Sequence, residues 1–103
     1  MKLLTKANMK ALPALRTTEN LLAGDGVVKV HFFNPTGIGD WYATEYDGED
    51  MFFGMCCLQE SEMGYFSLKE LTSFRGSMGL PLERNLHFNP TKLRYLFPDK
   101  FTD

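Results

Sequence analysis

No apolar run in this sequence approaches the ~20 residues that a membrane-spanning helix needs, so no such helix is expected. The Met1-Lys2-Leu3-Leu4 start lacks the apolar segment and small-residue cleavage site of a signal peptide, which makes a cytoplasmic location the expectation. Cysteine is scarce. Cys56 and Cys57 are adjacent and point to opposite faces of a strand, so a bridge between them would close a strained ring, and reduced thiols are expected. The two histidines, His31 and His87, stand apart from each other and from any further ligand at metal spacing, so neither a metal nor a cofactor is expected. No repeat, low-complexity tract or internal linker divides the chain, which is read as one domain over residues 1–103.

What is present is aromatic and alternating. With 44% hydrophobic, 14% aromatic and 23% charged residues, the composition is that of a folded domain rather than a disordered segment. Val27 to Phe33 alternates, with Val28, Val30 and Phe32 expected to face a core. Trp41–Tyr46 and Met51–Leu58 flank Asp47-Gly48-Glu49-Asp50, whose Asp-Gly pair suits a tight turn, so this stretch reads as a β-hairpin. Gly64-Tyr65-Phe66 adds a fourth strand and Leu86-His87-Phe88 a short extended piece. Short connections favour an antiparallel meander over a parallel sheet.

Three helices are expected. Thr5 caps one that runs to about Leu12 before Pro13, with Leu4 and Met9 forming a hydrophobic staple. Ser67-Leu68-Lys69-Glu70 forms a capping box, with Leu68, Leu71 and Phe74 as the apolar face and Gly76 as the stop. Asn89-Pro90 opens the third, which Pro98 ends. The fold class is therefore α+β: a small antiparallel sheet of three to five strands, its apolar face covered by two or three short helices.

The order Phe52-Phe53-Gly54, then Glu62-Met63-Gly64-Tyr65-Phe66-Ser67-Leu68-Lys69-Glu70-Leu71, then Arg75-Gly76-Ser77-Met78-Gly79-Leu80-Pro81-Leu82-Glu83-Arg84 resembles the small bacterial family catalogued as domain of unknown function 2958. The resemblance covers nearly the whole chain. It implies a compact product of a bacterium, plasmid, phage or other mobile element, and it implies no reaction. Asn85 departs from the pattern, which leads one to expect an acidic residue there.

Charge supplies the functional expectation. Residues 40–70 hold Asp40, Glu45, Asp47, Glu49, Asp50, Glu60, Glu62 and Glu70 against Lys69 alone. An acidic hairpin side, with Asp47, Glu49, Asp50, Glu60 and Glu62 as candidate contacts, points to an accessory or regulatory protein that binds a partner with a basic surface. The alternative is a weak nucleic-acid-binding module using Lys6, Lys10, Lys92 and Arg94 beside strand aromatics, against a whole-chain net charge of −2. An enzyme stands third. Ser67 is assigned to a helix cap, the cysteines have no basic neighbour in sequence, and neither histidine sits in a catalytic motif, so no catalytic residue is expected.

Overall fold

A computed structural model describes residues 2–102. Seven strands and three α-helices follow in the order α1 (Lys6–Ala11), β1 (Val27–Val28), β2 (Val30–Phe33), β3 (Asp40–Tyr46), β4 (Met51–Cys57), β5 (Ser61–Ser67), α2 (Leu68–Ser73), β6 (Glu83–Arg84), β7 (Thr91–Lys92) and α3 (Leu93–Leu96). Five strands form an antiparallel sheet in the order β5-β4-β3-β2-β6, and β1 pairs with β7 in a separate ribbon. The fold is α+β, as the alternation and the short connections require.

Alternation along β4 divides the sheet into two faces. Phe52 and Cys56 meet one core, with Val30, Phe32, Trp41, Ala43, Tyr46 and Phe66, covered by Leu4, Leu12, Leu71 and Leu82. Met55 and Cys57 meet the other, with Val28, Leu93, Tyr42, Met63, Phe88 and Phe97. The helices were expected to share one face. Instead α2, through Leu71, and the residues flanking α1, Leu4 and Leu12, pack on the first face, while α3 and the β1–β7 ribbon lie against the second, because β4 carries a large side chain on both sides of its pleat.

One position keeps β3 and β4 close. A Cβ on Gly54 would stand 1.9 Å from the carbonyl oxygen of Tyr42, so no other residue fits without moving β3. A bulge lies beside it, between Ala43 and Glu45, where Thr44 donates its hydroxyl to the carbonyl of Phe53.

The structure corrects several local expectations. Val27–Phe33 is not one strand: it breaks at Lys29 into β1 and β2, which belong to different sheets. The third helix begins at Leu93, since Asn89-Pro90 leads into β7, whose amides are used in pairing with β1. Leu86–Phe88 is not a strand; the strand in that region is β6, which pairs with β2. Met9 is exposed whereas Leu4 is buried, and the start of α1 is held by a reciprocal cap between Thr5 and Asn8 (3.1 and 3.0 Å). At α2 the Ser67 hydroxyl accepts from Glu70 N–H as expected (3.2 Å), but the return bond from Glu70 is absent. The hairpin turn replaces it: Asp50 accepts from the Ser67 hydroxyl (2.6 Å), from Lys69 N–H (2.8 Å) and, at its carbonyl, from Leu68 N–H (2.7 Å).

Candidate functional site

The turn between β3 and β4 gathers three of the acidic residues expected at a binding surface. Gly48 takes the positive φ (86°) that closes it. Asp47 then folds back on the chain, one carboxylate oxygen accepting from the amides of Glu49 and Asp50 (both 2.8 Å) and Met51 (3.0 Å). Those donors, Glu49 first and then Asp50, hold its carboxyl below the ordinary range, so the charge persists in mildly acidic solution. Asp50 is anchored to α2 as described. Glu49 is exposed, and among the described residues its side chain makes no hydrogen bond. The turn is thus a rigid acidic knob of which one carboxylate is unengaged and two also serve the fold.

Glu60 and Glu62 lie elsewhere. They sit at the far end of β4 from this turn, roughly 20 Å away at the usual rise of an extended strand. Both are exposed, and Glu62 stands opposite Cys56 on β4. The five acidic candidates therefore form two groups. Glu45, which the local pattern does not distinguish from them, is buried on the second face. It accepts from Arg16 N–H (2.9 Å), Thr18 N–H (2.8 Å) and the Thr18 hydroxyl, fastening the 14–26 loop to the sheet. Only the long separation in sequence, 29 residues to Arg16, hid this role.

That loop walls a cleft of about 360 Å³ whose floor includes Thr44, Phe53, Met63 and Tyr65. Its charged groups are already engaged: Glu45 by the loop amides, and Arg16, in a left-handed conformation (φ 70°), by Glu19 at 3.0 Å.

The basic candidates are also divided. Lys6 and Lys10 are exposed on α1, over the first face. Lys92 and Arg94 lie over the second, both drawn to Asp25 (3.7 and 2.9 Å). Arg94, then Lys92, hold the Asp25 carboxyl below its usual range. The four cations do not form one strip.

The remaining polar cluster is built on β2 and β3. His31 Nε2 lies 2.7 Å from Asp40, and its ring stacks on Tyr42 with centroids 4.3 Å apart. Asn85 accepts from His87 N–H through its side-chain oxygen and so turns its amide nitrogen toward His31 Nδ1 (3.3 Å). This arrangement holds the tautomer that donates from Nε2 to Asp40. Both ring nitrogens face fixed partners, so the pair resembles a catalytic His-carboxylate dyad without a nucleophile at the second nitrogen. Burial, with Asp40 and Cys57 nearby, pushes the Tyr42 hydroxyl up to about 12. Burial likewise pushes the Cys56 thiol up to about 11 and raises Cys57; both cysteines are free and face different cores. Among the described residues no three His, Cys, Asp or Glu side chains are grouped as a metal would require, and no helix is long and apolar enough to cross a membrane.

The sequence model of the family described as "Protein of unknown function (DUF2958)" matches residues 3–96. The chain belongs to that family. Searches of curated proteins and of solved structures return no match. The matched span takes in this DUF2958 protein's five-stranded sheet, the acidic turn, the Glu45 anchor and the His31 cluster, and ends at the last residue of α3.

Proposed function

We propose that this DUF2958 protein is a non-enzymatic accessory or regulatory protein of a bacterial mobile element, acting in the cytoplasm by binding a protein with a basic surface. The carrying observation is the preformed acidic turn. Asp47 is locked by three amides and Asp50 by the start of α2, so two charges hold their positions beside the exposed Glu49. An array already ordered loses little entropy when a partner docks, and exposed charges of one sign steer an opposite surface over roughly 8–10 Å at physiological salt.

Glu49→Lys is the informative change because it reverses charge without removing a structural hydrogen bond. Immobilised parent and variant, each challenged with bacterial lysate at low and moderate salt, should differ: a protein retained by the parent at low salt should be lost by Glu49→Lys. Equal retention at every salt concentration would remove the acidic turn as the interface. Binding to a panel of single-stranded and duplex nucleic acids, weakened by Lys6→Glu and Lys10→Glu, would favour the nucleic-acid reading instead.

A further inference from the structure

We propose that a cavity of about 240 Å³ beside α1 binds a small phosphate monoester, its oxyanion held by Lys29, Arg84 and Asn8 and its organic group laid against Leu86 and Phe88. Three separate stretches of chain meet there. Asn8 comes from α1, Lys29 from the passage of β1 into β2, and Arg84, Leu86 and Phe88 from β6 and the residues that follow it.

The charge of those stretches has one sign. Residues 1–18, 26–39 and 84–98 contain no Asp or Glu, and each carries Lys or Arg, so in a chain of net charge −2 the cavity draws its walls from the basic part. The bordering carboxylates are engaged elsewhere. Glu19 pairs with Arg16, Asp25 with Lys92 and Arg94, and Asp40 with His31 Nε2, the nitrogen opposite the one that faces Asn85. Glu83 lines a different cavity with Leu71 and Arg75, and neither these acids nor Asp99 lines this one. Among the described residues neither Lys29 nor Arg84 forms an ion pair. A recess lined by charge of one sign concentrates the field that attracts an opposite ion.

Hydrogen bonding points the same way, because the side-chain oxygens of the wall are spent and its nitrogens are donors. Asn8 Oδ1 accepts from the N–H and hydroxyl of Thr5 (3.0 and 2.9 Å), which leaves its Nδ2 to donate. Asn85 Oδ1 accepts from His87 N–H (3.1 Å). Arg84 gives Nη1 to the carbonyls of Lys2 and Leu3 (2.7 and 2.9 Å), which fixes the guanidinium and leaves Nε and Nη2. A ligand that only accepts suits such a wall, and an oxyanion does so with charge as well. Leu86 and Phe88 add an apolar side that a bare phosphate ion would leave uncovered, whereas a monoester covers it with its organic group.

Titration of the nitrogen-15-labelled full chain with phenyl phosphate, inorganic phosphate and phenol, at constant ionic strength, tests this. Phenyl phosphate should shift the side-chain amides of Asn8 and Asn85 and the backbone amides of Leu86 to Phe88 saturably, more tightly than inorganic phosphate does, and phenol should not. Lys29→Gln should weaken phenyl phosphate about tenfold, the loss of one charge-assisted hydrogen bond. Asn8→Asp keeps an oxygen for the Thr5 cap but sets a negative charge in place of the donor, and should abolish binding. Lys69→Gln, on the acidic side of the molecule, should leave it unchanged. Lys29→Gln decides the matter if Asn8→Asp does not fold. The proposal is overturned by the absence of a saturable shift with phenyl phosphate, by equal binding of phenol or of inorganic phosphate, or by an affinity that both variants leave intact. Saturation by a single-stranded oligonucleotide with none by phenyl phosphate would also overturn it, assigning these cations to a nucleic-acid backbone.

Discussion

The two faces of the central sheet are held by different chemistry. On the first, Phe32, Tyr46, Phe52 and Phe66 pack ring against ring, with centroids 4.6–5.5 Å apart around Phe52, beneath two helices that follow capping residues. On the second, a smaller apolar group around Val28, Met55 and Leu93 is bordered by polar fastenings: Glu45 to the 14–26 loop, Asp25 to Arg94, and Asp40 to His31. Apolar packing is non-directional and tolerates many neighbours, whereas a buried carboxylate requires particular donors. The first face should therefore lose stability in proportion to volume removed, and the second should fail when one named partner is lost.

Phe52→Ala should have the largest effect, about 4 kcal/mol by chemical denaturation, because a fully buried ring at the centre of the first face leaves a cavity. Glu45→Ala should cost about 3 kcal/mol, since it strips acceptors from Arg16 and Thr18 together. Hydrogen exchange sharpens the comparison. Amides of residues 14–26 should lose protection in Glu45→Ala while those of α2 keep it; uniform loss across both faces would show that the loop and sheet melt as one unit.

Asp50→Ala should cost about 1–2 kcal/mol by the loss of the α2 cap, a polar fastening on the otherwise apolar first face. Glu70→Ala should change the denaturation midpoint less than Asp50→Ala, because its return bond is not made. A larger effect from Glu70 would restore the simple capping box.

The smallest effect is acid sensitivity on the second face. The Asp25 carboxyl lies below its ordinary value of 3.8, first through its hydrogen bond with Arg94 and also through the nearby charge of Lys92. A depressed folded-state value stabilises the fold above the unfolded value, and this contribution is lost as pH falls through the folded one. Melting curves should therefore show a slightly shallower decline below about pH 4 in Asp25→Asn than in the parent. Identical acid limbs would mean that the Asp25–Arg94 contact contributes nothing to folding.

Much of the first face was legible residue by residue. Val30 and Phe32 alternate with His31, Thr5 and Ser67 precede helical turns, and Asp47-Gly48 closes the hairpin, each a preference expressed within a few residues. The capping of α2 was only half legible. Glu70 stands at the favourable spacing, but Asp50, 17 residues before Ser67, reaches the same helix end once β4 and β5 pair and takes the role.

The second face was largely illegible for the same reason. Glu45 looks like any exposed acid in an acidic stretch until the bulge after Ala43 and the burial of β3 bring it against Arg16 and Thr18. The sequence by itself determined the antiparallel α+β class, the hairpin and two helix starts, because dihedral preference, capping and period-two alternation act between near neighbours. Tertiary structure alone decided that Val27–Phe33 divides between two sheets, that α3 covers the opposite face from α1 and α2, and which carboxylates fasten the chain. Those outcomes depend on which donor a folded backbone brings within hydrogen-bond distance, across as many as 69 residues between Asp25 and Arg94, and no local pattern carries that information.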